Sequence, residues 1–454
     1  NSEGVVFLNA SKIHIIHVGH MSNKGTQALL KSDDSAIRDI VEGEVSLSVS
    51  TTDMEGVKSL NLPESTTIWP TLIDIPYIKA DNLAKRLRIS RRSVGYKILS
   101  LYSLFLMFAE TALLILSVSL LKLRLPAVYK KNVLDRLVGS DVVVSCSDEN
   151  FKETASMLPL NVYWAITWWT MLFERMMEVS VAKFFHKPLI MFPNSVGPFK
   201  TRLGLMLSKL ALNNFDTLII RDSVSFNLLK KIGIAPKMVL TSDAALLFSA
   251  DSKFSTQKFI SPSIGVCIGV YSQSLSKEDF KDFMVENAQA LDRIVELYGH
   301  DVCFFPHYIS GFEHDDLEVS KTVLSMMRHQ DRARLFKIDS LEEFKLCLEQ
   351  MELLISSKMH PMVLATSGYV PTVCIAYDHK QTGFLKDLGL MEYLIPLKEV
   401  DSETIVSKVG KVMKDREEII ALLNRKVPAL QQGVRTAMQE ALSPFLEDKI
   451  CKRK

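Results

Sequence analysis

The chain has 454 residues, 47% hydrophobic and 23% charged, which is enough apolar material for two or three domain cores and too much for a disordered protein. Its 54 basic and 52 acidic residues leave a formal charge of +2, which excludes the global field of a nucleic-acid binder or an acidic tail. Six cysteines (Cys146, Cys267, Cys303, Cys347, Cys374 and Cys451) include no C-x-x-C pair, so no structural zinc site or compact disulfide framework is expected, and a reducing cytoplasm fits best. The first ten residues contain Glu3 and no basic stretch followed by a long apolar one, and do not read as a secretory signal.

In chain order, short β-branched runs at 12–18, 141–145, 188–192 and 217–220 read as buried strands with helical patterns between them. Parallel neighbours need crossovers, which are usually helical, so this alternation predicts a Rossmann-like first half. A polar stretch at 249–262 breaks the pattern. Strands at 263–268, 301–305, 353–356 and 372–376, with helices at 278–298 and 341–349, then repeat it. The expected fold is α/β, with two Rossmann-like domains facing a cleft in a glycosyltransferase B-like arrangement. The first covers 1–250 with a helical insertion near 85–131, the second covers 260–425, and 426–454 forms a helical tail.

The insertion contains an apolar run at 98–121, long enough to cross a bilayer at about 1.5 Å per residue. Lys85, Arg86, Arg88, Arg91, Arg92 and Lys97 precede it, and Lys122, Arg124, Lys130 and Lys131 follow it. One crossing would part strands 12–18 and 141–145, which look like members of one sheet. Besides such a crossing, the pattern leaves open a helix resting on anionic lipid at the inner face of the membrane, or a buried hairpin with a solvated basic face.

Several strand ends carry polar loops, where α/β proteins bind ligands. After the first strand, Gly19 to Leu30 includes Asn23, Lys24, Gly25, Thr26 and Gln27 and opens a helix, suiting an anion, although its glycine spacing fits neither a dinucleotide fingerprint nor a P-loop. Asn194 and Ser195 follow the third run in a Gly/Pro-bounded turn and can reach a ligand. Arg221 precedes Asp222 and Ser223, either of which can cap the next helix; Arg221 suits a carboxylate or phosphate of a ligand, or a structural pairing with Asp222 or Asp243. Lys358 and His360 share a loop between a strand and a helix, pairing a cation with the side chain best matched to proton transfer near neutral pH, and His307 follows another strand. His314, Asp315 and Asp316 look metal-like in composition, but acidic residues at a helix start more often cap it. No convincing metal site emerges.

Taken together, these segments resemble the polysaccharide pyruvyl transferase family from Gly19 to about Gly389. The resemblance rests on Asn23-Lys24-Gly25-Thr26-Gln27-Ala28, the turn Asn194 to Pro198, Arg221-Asp222-Ser223-Val224-Ser225 and Asp243-Ala244-Ala245. It continues through Lys358-Met359-His360, Gly368-Tyr369-Val370-Pro371-Thr372 and Tyr377-Asp378-His379-Lys380. Two positions depart from the family pattern. Lys358 stands where members carry Arg, and Cys146-Ser147-Asp148-Glu149-Asn150 replaces a glycine-rich turn, placing carboxylates where an anionic donor would meet bare backbone.

The resemblance implies transfer of an enolpyruvyl-derived group from phosphoenolpyruvate to a sugar or lipid-linked glycan, forming a pyruvate ketal without metal or cofactor. In that chemistry His360 is the expected general acid, Arg221 and Lys358 hold the donor's anionic groups, and residues 23–27 shape the acceptor side, with His307 facing the same cleft. A nucleotide-sugar glycosyltransferase of the same architecture is one alternative, since fold does not fix function, and a non-catalytic scaffold of a membrane glycan assembly complex, suggested by Lys358, the altered 146–150 turn and the basic apolar segment, is another.

Overall fold

The computed structural model describes residues 10–89, 93–153, 162–250, 259, 261–269, 275–309 and 315–451. Arg91, Arg92, His314 and most of 249–262 therefore lie outside the described residues.

Among the described residues, fourteen strands form two wholly parallel sheets. The first contains β1 (Ser11–Val18), β2 (Val45–Thr51), β3 (Thr66–Pro70), β4 (Val142–Ser145), β5 (Asp148–Phe151), β6 (Leu189–Val196), β7 (Thr217–Ile220) and β8 (Lys237–Leu240). Its order is β3-β2-β1-β4-β6-β7-β8, with β5 pairing β6 alongside. The second contains β9 (Ser263–Cys267), β10 (Asp301–Phe304), β11 (Ala333–Leu335), β12 (Leu353–Ser356), β13 (Thr372–Ala376) and β14 (Leu394–Pro396), in the order β11-β10-β9-β12-β13-β14. The second order is that of a dinucleotide-binding sheet, in which the chain reverses direction between the first and fourth strands and opens a crevice there. The first sheet reverses at the equivalent place, between β1 and β4.

The strands read as they do because both faces are covered. Val142, Val143 and Val144 are wholly buried, as are Ile13, Ile15 and Ile16 of β1, so apolar residues run continuously rather than alternating. His14, buried in that run, bonds Ser48 Oγ at 2.7 Å and Ser50 Oγ at 3.0 Å, which meets the hydrogen-bond need of a ring cut off from water. All eight predicted strands are present. β2, β3, β5, β8, β11 and β14 were not predicted, being short, polar or at sheet edges.

The helix Lys24–Ile40 starts where the Asn23 side chain accepts from the Gly25 N–H. The helix Arg416–Cys451 ends the described chain and returns to the first sheet's side, where Gln431 Nε2 donates to the Leu246 carbonyl at 2.7 Å and Arg435 pairs with Asp39 at 3.1 Å.

The apolar insertion is the helix Val94–Lys122, with mean hydropathy 2.3 over its most apolar stretch; among the described residues it alone is long and apolar enough to cross a membrane. It sits in the chain between β3 and β4. Because β4 hydrogen-bonds to β1 within one sheet, a single crossing by this helix would pull adjacent strands to opposite sides of a bilayer. The helix instead lays one stripe, Tyr96, Ser103, Met107, Leu114 and Ser117, against the protein.

Candidate active site

The carboxyl ends of the two sheets meet around a cavity of about 350 Å³. The first sheet's side contributes Gly19, His20, Asn23 and Thr26 from the loop after β1, Asp148, Glu149 and Lys152 from β5 and its end, and Trp168, Met171 and Arg175 from the helix Val162–Phe184. Across the gap stand His307 and Tyr308 after β10, Lys358, Met359 and His360 after β12, and Tyr377 and Lys380 after β13.

The two sides are joined at Gly25. Its N–H donates both to Asn23 Oδ1 at 2.8 Å and to His307 Nε2 at 3.0 Å, and Asn23 forms an antiparallel bridge with Tyr308. Since His307 Nε2 accepts, the proton of the neutral ring resides on Nδ1. Burial holds the His307 imidazole well below the ordinary histidine range, reinforced by the charges of His360, Lys358 and Lys24.

His360 stacks on His307 with ring centroids 6.0 Å apart and planes at 23°. It is 7% exposed, and its Nε2 has no hydrogen-bond partner among the described residues. Burial lowers its pKa; the Asp243 carboxylate opposes that effect and the Arg221 cation adds to it.

The carboxylates at 148–150 sit inside a cage of cations. Glu149 pairs with Lys152, with Lys380 at 2.5 Å and with Arg221 at 3.5 Å. Burial alone would lift its carboxyl, but Lys152, Lys380 and Arg221 outweigh burial and hold it well below the usual carboxylate range. The altered turn therefore does not make the cavity acidic. Lys152, Arg175, Lys358 and Lys380 line it against Asp148 and Glu149, so positive charge is in excess and an anionic ligand is favoured. Arg175 donates to the Asn150 carbonyl and has no described carboxylate within ion-pair distance. Lys358 pairs with buried Asp316 at 2.9 Å, and Asp316 also accepts from the Tyr308 N–H at 2.9 Å.

Several residues expected at the ligand are instead beneath it. Arg221 is 2% exposed; its Nε donates to Ser195 Oγ at 2.8 Å and its Nη1 to Asp243 Oδ2 at 2.8 Å. The guanidinium thus lies below the cavity between two carboxylates, Asp243 and Glu149, and a hydroxyl, in the kind of structural pairing the sequence allowed for it. Asp222 caps the following helix by accepting from Ser225 N–H at 2.7 Å. Asn194 is wholly buried, donating to the Cys146 and Phe192 carbonyls and accepting from Asn150 N–H. Asn194 thereby fastens the ends of β4, β5 and β6 together, Ser195 accepts from Arg221, and neither lines the cavity. Lys24, 4% exposed, points its ammonium at the Phe344 ring, 5.4 Å from the centroid, and Gln27 Nε2 donates to the Met21 carbonyl at 2.5 Å. Of residues 23–27, Asn23 and Thr26 reach the cavity, while Gly25 shapes it from behind. Asp315 caps the helix Asp316–Met326, and no group of three potential metal ligands occurs among the described residues.

Arg175, Lys152 and Trp168 were not singled out from the sequence, while Lys380 and Asp148 entered only as members of the 377–380 motif and the altered 146–150 turn, without a role of their own. For Arg175 a signal exists: with Glu174 and Glu178 it interrupts an otherwise apolar helix, and charge within such a stretch needs a reason.

Two doubly wound parallel sheets with their ligand-binding ends turned toward a shared cationic cavity define a glycosyltransferase B-like α/β protein. Solved structures agree. The chain superposes on a putative UDP-N-acetylglucosamine 2-epimerase from Listeria monocytogenes with a TM-score of 0.57 at 10% identity, covering 97% of this chain and 98% of that one. It superposes on UGT73P12 from Glycyrrhiza uralensis with a TM-score of 0.52 at 10% identity, covering 98% and 97%. At such identities the likeness concerns the fold alone. Sequence comparison is more specific, because a family model described as polysaccharide pyruvyl transferase matches residues 56–379. The chain belongs to the polysaccharide pyruvyl transferase family. It is also 25% identical over 270 residues to the amylovoran biosynthesis protein AmsJ of Erwinia amylovora, a match covering 56% of this chain and 64% of that protein.

Proposed function

We propose that this enzyme transfers the enolpyruvyl-derived group of phosphoenolpyruvate to two hydroxyls of a sugar, with His360 as general acid. One observation carries the reading: in a member of this family, a buried imidazole with an unpartnered Nε2 lines the same cavity as Lys152, Arg175, Lys358 and Lys380. Ketal formation needs that combination. A proton added to the vinyl CH2 makes a methyl group and leaves the adjoining carbon cationic. One sugar hydroxyl adds there, phosphate leaves with its bridging oxygen, and a second hydroxyl adds to close the ketal. Two hydroxyl protons are released; one balances the proton given to the methyl carbon and the other leaves with phosphate.

Each role follows from charge and position. Arg175 has a planar fork not committed to a carboxylate and suits the donor's carboxylate or phosphate. Lys380, Lys152 and Lys358 supply point charges already balanced by Glu149 and Asp316, which limits the cost of burying them before the donor arrives. Asp148, reached by the Thr26 hydroxyl at 3.4 Å, is the cavity carboxylate suited to receive a hydroxyl proton. Arg221 acts one layer below, fixing Glu149 and so Lys380.

The test is a donor assay with a glycan acceptor. Release of inorganic phosphate from phosphoenolpyruvate, with a pyruvate ketal on the acceptor, is the expected result. Release of a nucleoside diphosphate from a nucleotide sugar, with none of phosphate, would assign the cavity to glycosyl transfer instead.

A further inference from the structure

We infer that the helix Val94–Lys122 is a docking element for an anionic membrane surface, and that the acceptor reaches the enzyme as a lipid-linked sugar; the second clause rests on the catalytic reading above, the first does not. The helix is apolar on both faces, but only one is packed. Opposite the buried stripe, Ile98, Leu101, Phe105, Phe108, Ile115 and Leu116 recur at helical spacing and stay exposed, with Leu101 67%, Phe105 68% and Phe108 61% accessible. Large aromatic and aliphatic side chains lined up on one outward face mark an interaction surface rather than scattered exposure.

Charge decides the occupant. The sole acidic residue between 94 and 125, Glu110, is turned inward, where it pairs with Lys79 and accepts from the Asp74 N–H. Exposed cations bracket the apolar face: Lys85, Arg86, Arg88 and Lys97 at one end, Lys122 and Arg124 at the other. An apolar strip between two basic ends matches acyl chains below and anionic headgroups around them. A second copy packed on the same face would set basic ends against basic ends in either orientation, so the complementarity favours lipid over self-association.

The face adjoins a second cavity, of about 450 Å³, lined by Tyr102 and Leu106 of this helix and by Ile75, Ile78 and Leu83. Tyr77, between Ile75 and Ile78, lines the catalytic cavity instead. The helix Pro76–Leu87 thus borders both cavities, which sets the catalytic site beside the face turned to the membrane.

Full-length protein should sediment with phosphatidylcholine vesicles containing phosphatidylglycerol, less so with phosphatidylcholine alone, and less as salt rises. The triple variant Leu101→Ser/Phe105→Ser/Phe108→Ser, altered only at exposed positions, should fold as the parent does and bind at least about tenfold more weakly. Its turnover on a short soluble acceptor should equal the parent's, while turnover on a lipid-linked acceptor in vesicles falls. Parent protein that stays in the supernatant overturns docking, as does light scattering showing a dimer that the triple variant converts to monomer without vesicle binding. Equal losses on soluble and lipid-linked acceptors overturn the lipid-linked route. A parent that binds vesicles yet releases no phosphate from phosphoenolpyruvate would fault the catalytic reading and leave docking standing.

Discussion

A β-carbon on Gly25 would lie 2.0 Å from Nδ1 of His360, so the missing side chain on one sheet's loop is what lets the imidazole of the other occupy its place. The same glycine's N–H holds His307, the ring on which His360 stacks. Neither contact is local in sequence, and both fall where the two halves close.

Gly25→Ala should therefore injure catalysis through His360 rather than through its own chemistry. A displaced acid misses its near-attack position, for which a loss of about 10²-fold in kcat is the expected order. Overpacking should cost about 1–3 kcal/mol in urea unfolding. Gly25→Ala/His360→Ala should recover most of that stability while remaining inactive. Parental stability and turnover in Gly25→Ala would show that the ring can move aside freely.

His360→Asn should still bind phosphoenolpyruvate in calorimetry yet lose about 10²- to 10⁴-fold in rate. Because the protonated ring is the active form and burial lowers its pKa, kcat/KM of the parent should fall as pH rises through a value below the ordinary 6.5. Bound donor anions favour the protonated ring, so the corresponding limb in kcat should lie at higher pH. Both limbs should vanish in the variant. If they persist, the acid is another group, although His307 is the poorer candidate because its Nε2 already accepts the Gly25 N–H.

Lys358→Met should weaken donor binding, but it also strips buried Asp316 of its counter-ion, a loss worth about 3 kcal/mol of stability. The variant Lys358→Met/Asp316→Asn separates the two effects. Its stability should return toward the parent's while the donor constant stays raised. A double variant with parental donor affinity would remove Lys358 from the donor site.

Arg221→Met should act on folding first, because it leaves Asp243 and Glu149 facing each other's charge with one cation fewer, at a cost of about 3–5 kcal/mol. Lys380→Met, at the cavity wall, should instead raise the donor constant with a smaller loss of stability. Chemical denaturation and calorimetry on the pair would decide. A stable Arg221→Met that failed only in donor binding would return the guanidinium to the ligand.

Local pattern made much of the architecture legible. Runs such as Val142 to Val144 and Ile13 to Ile16 are buried on both faces, and a continuous apolar stretch between polar loops is what a parallel strand needs, so eight strands and the loops at their ends could be read directly. His360, His307, Lys358 and Asn23 belong to those loops and do line the cavity. The short edge strands, including β8 with its exposed Lys237 and Leu240, lack that pattern because one side of each has no neighbour to cover it.

Pairing across the fold was not legible, since it depends on which strand lies beside which and not on the period of any segment. Arg221, alone at a strand end, suits a ligand as well as a scaffold; only folding brings Asp243 and Glu149 to its guanidinium. The carboxylate of Glu149 looked hostile to an anion until folding brought Lys380 from the other sheet to 2.5 Å. Sequence by itself determined which residue types stand at the strand ends, because strands and caps are short-range consequences of side-chain shape and hydrogen bonding. Tertiary structure alone decided which of those charges cancel and which face the cavity, because ion pairing and burial act through space between residues far apart in the chain.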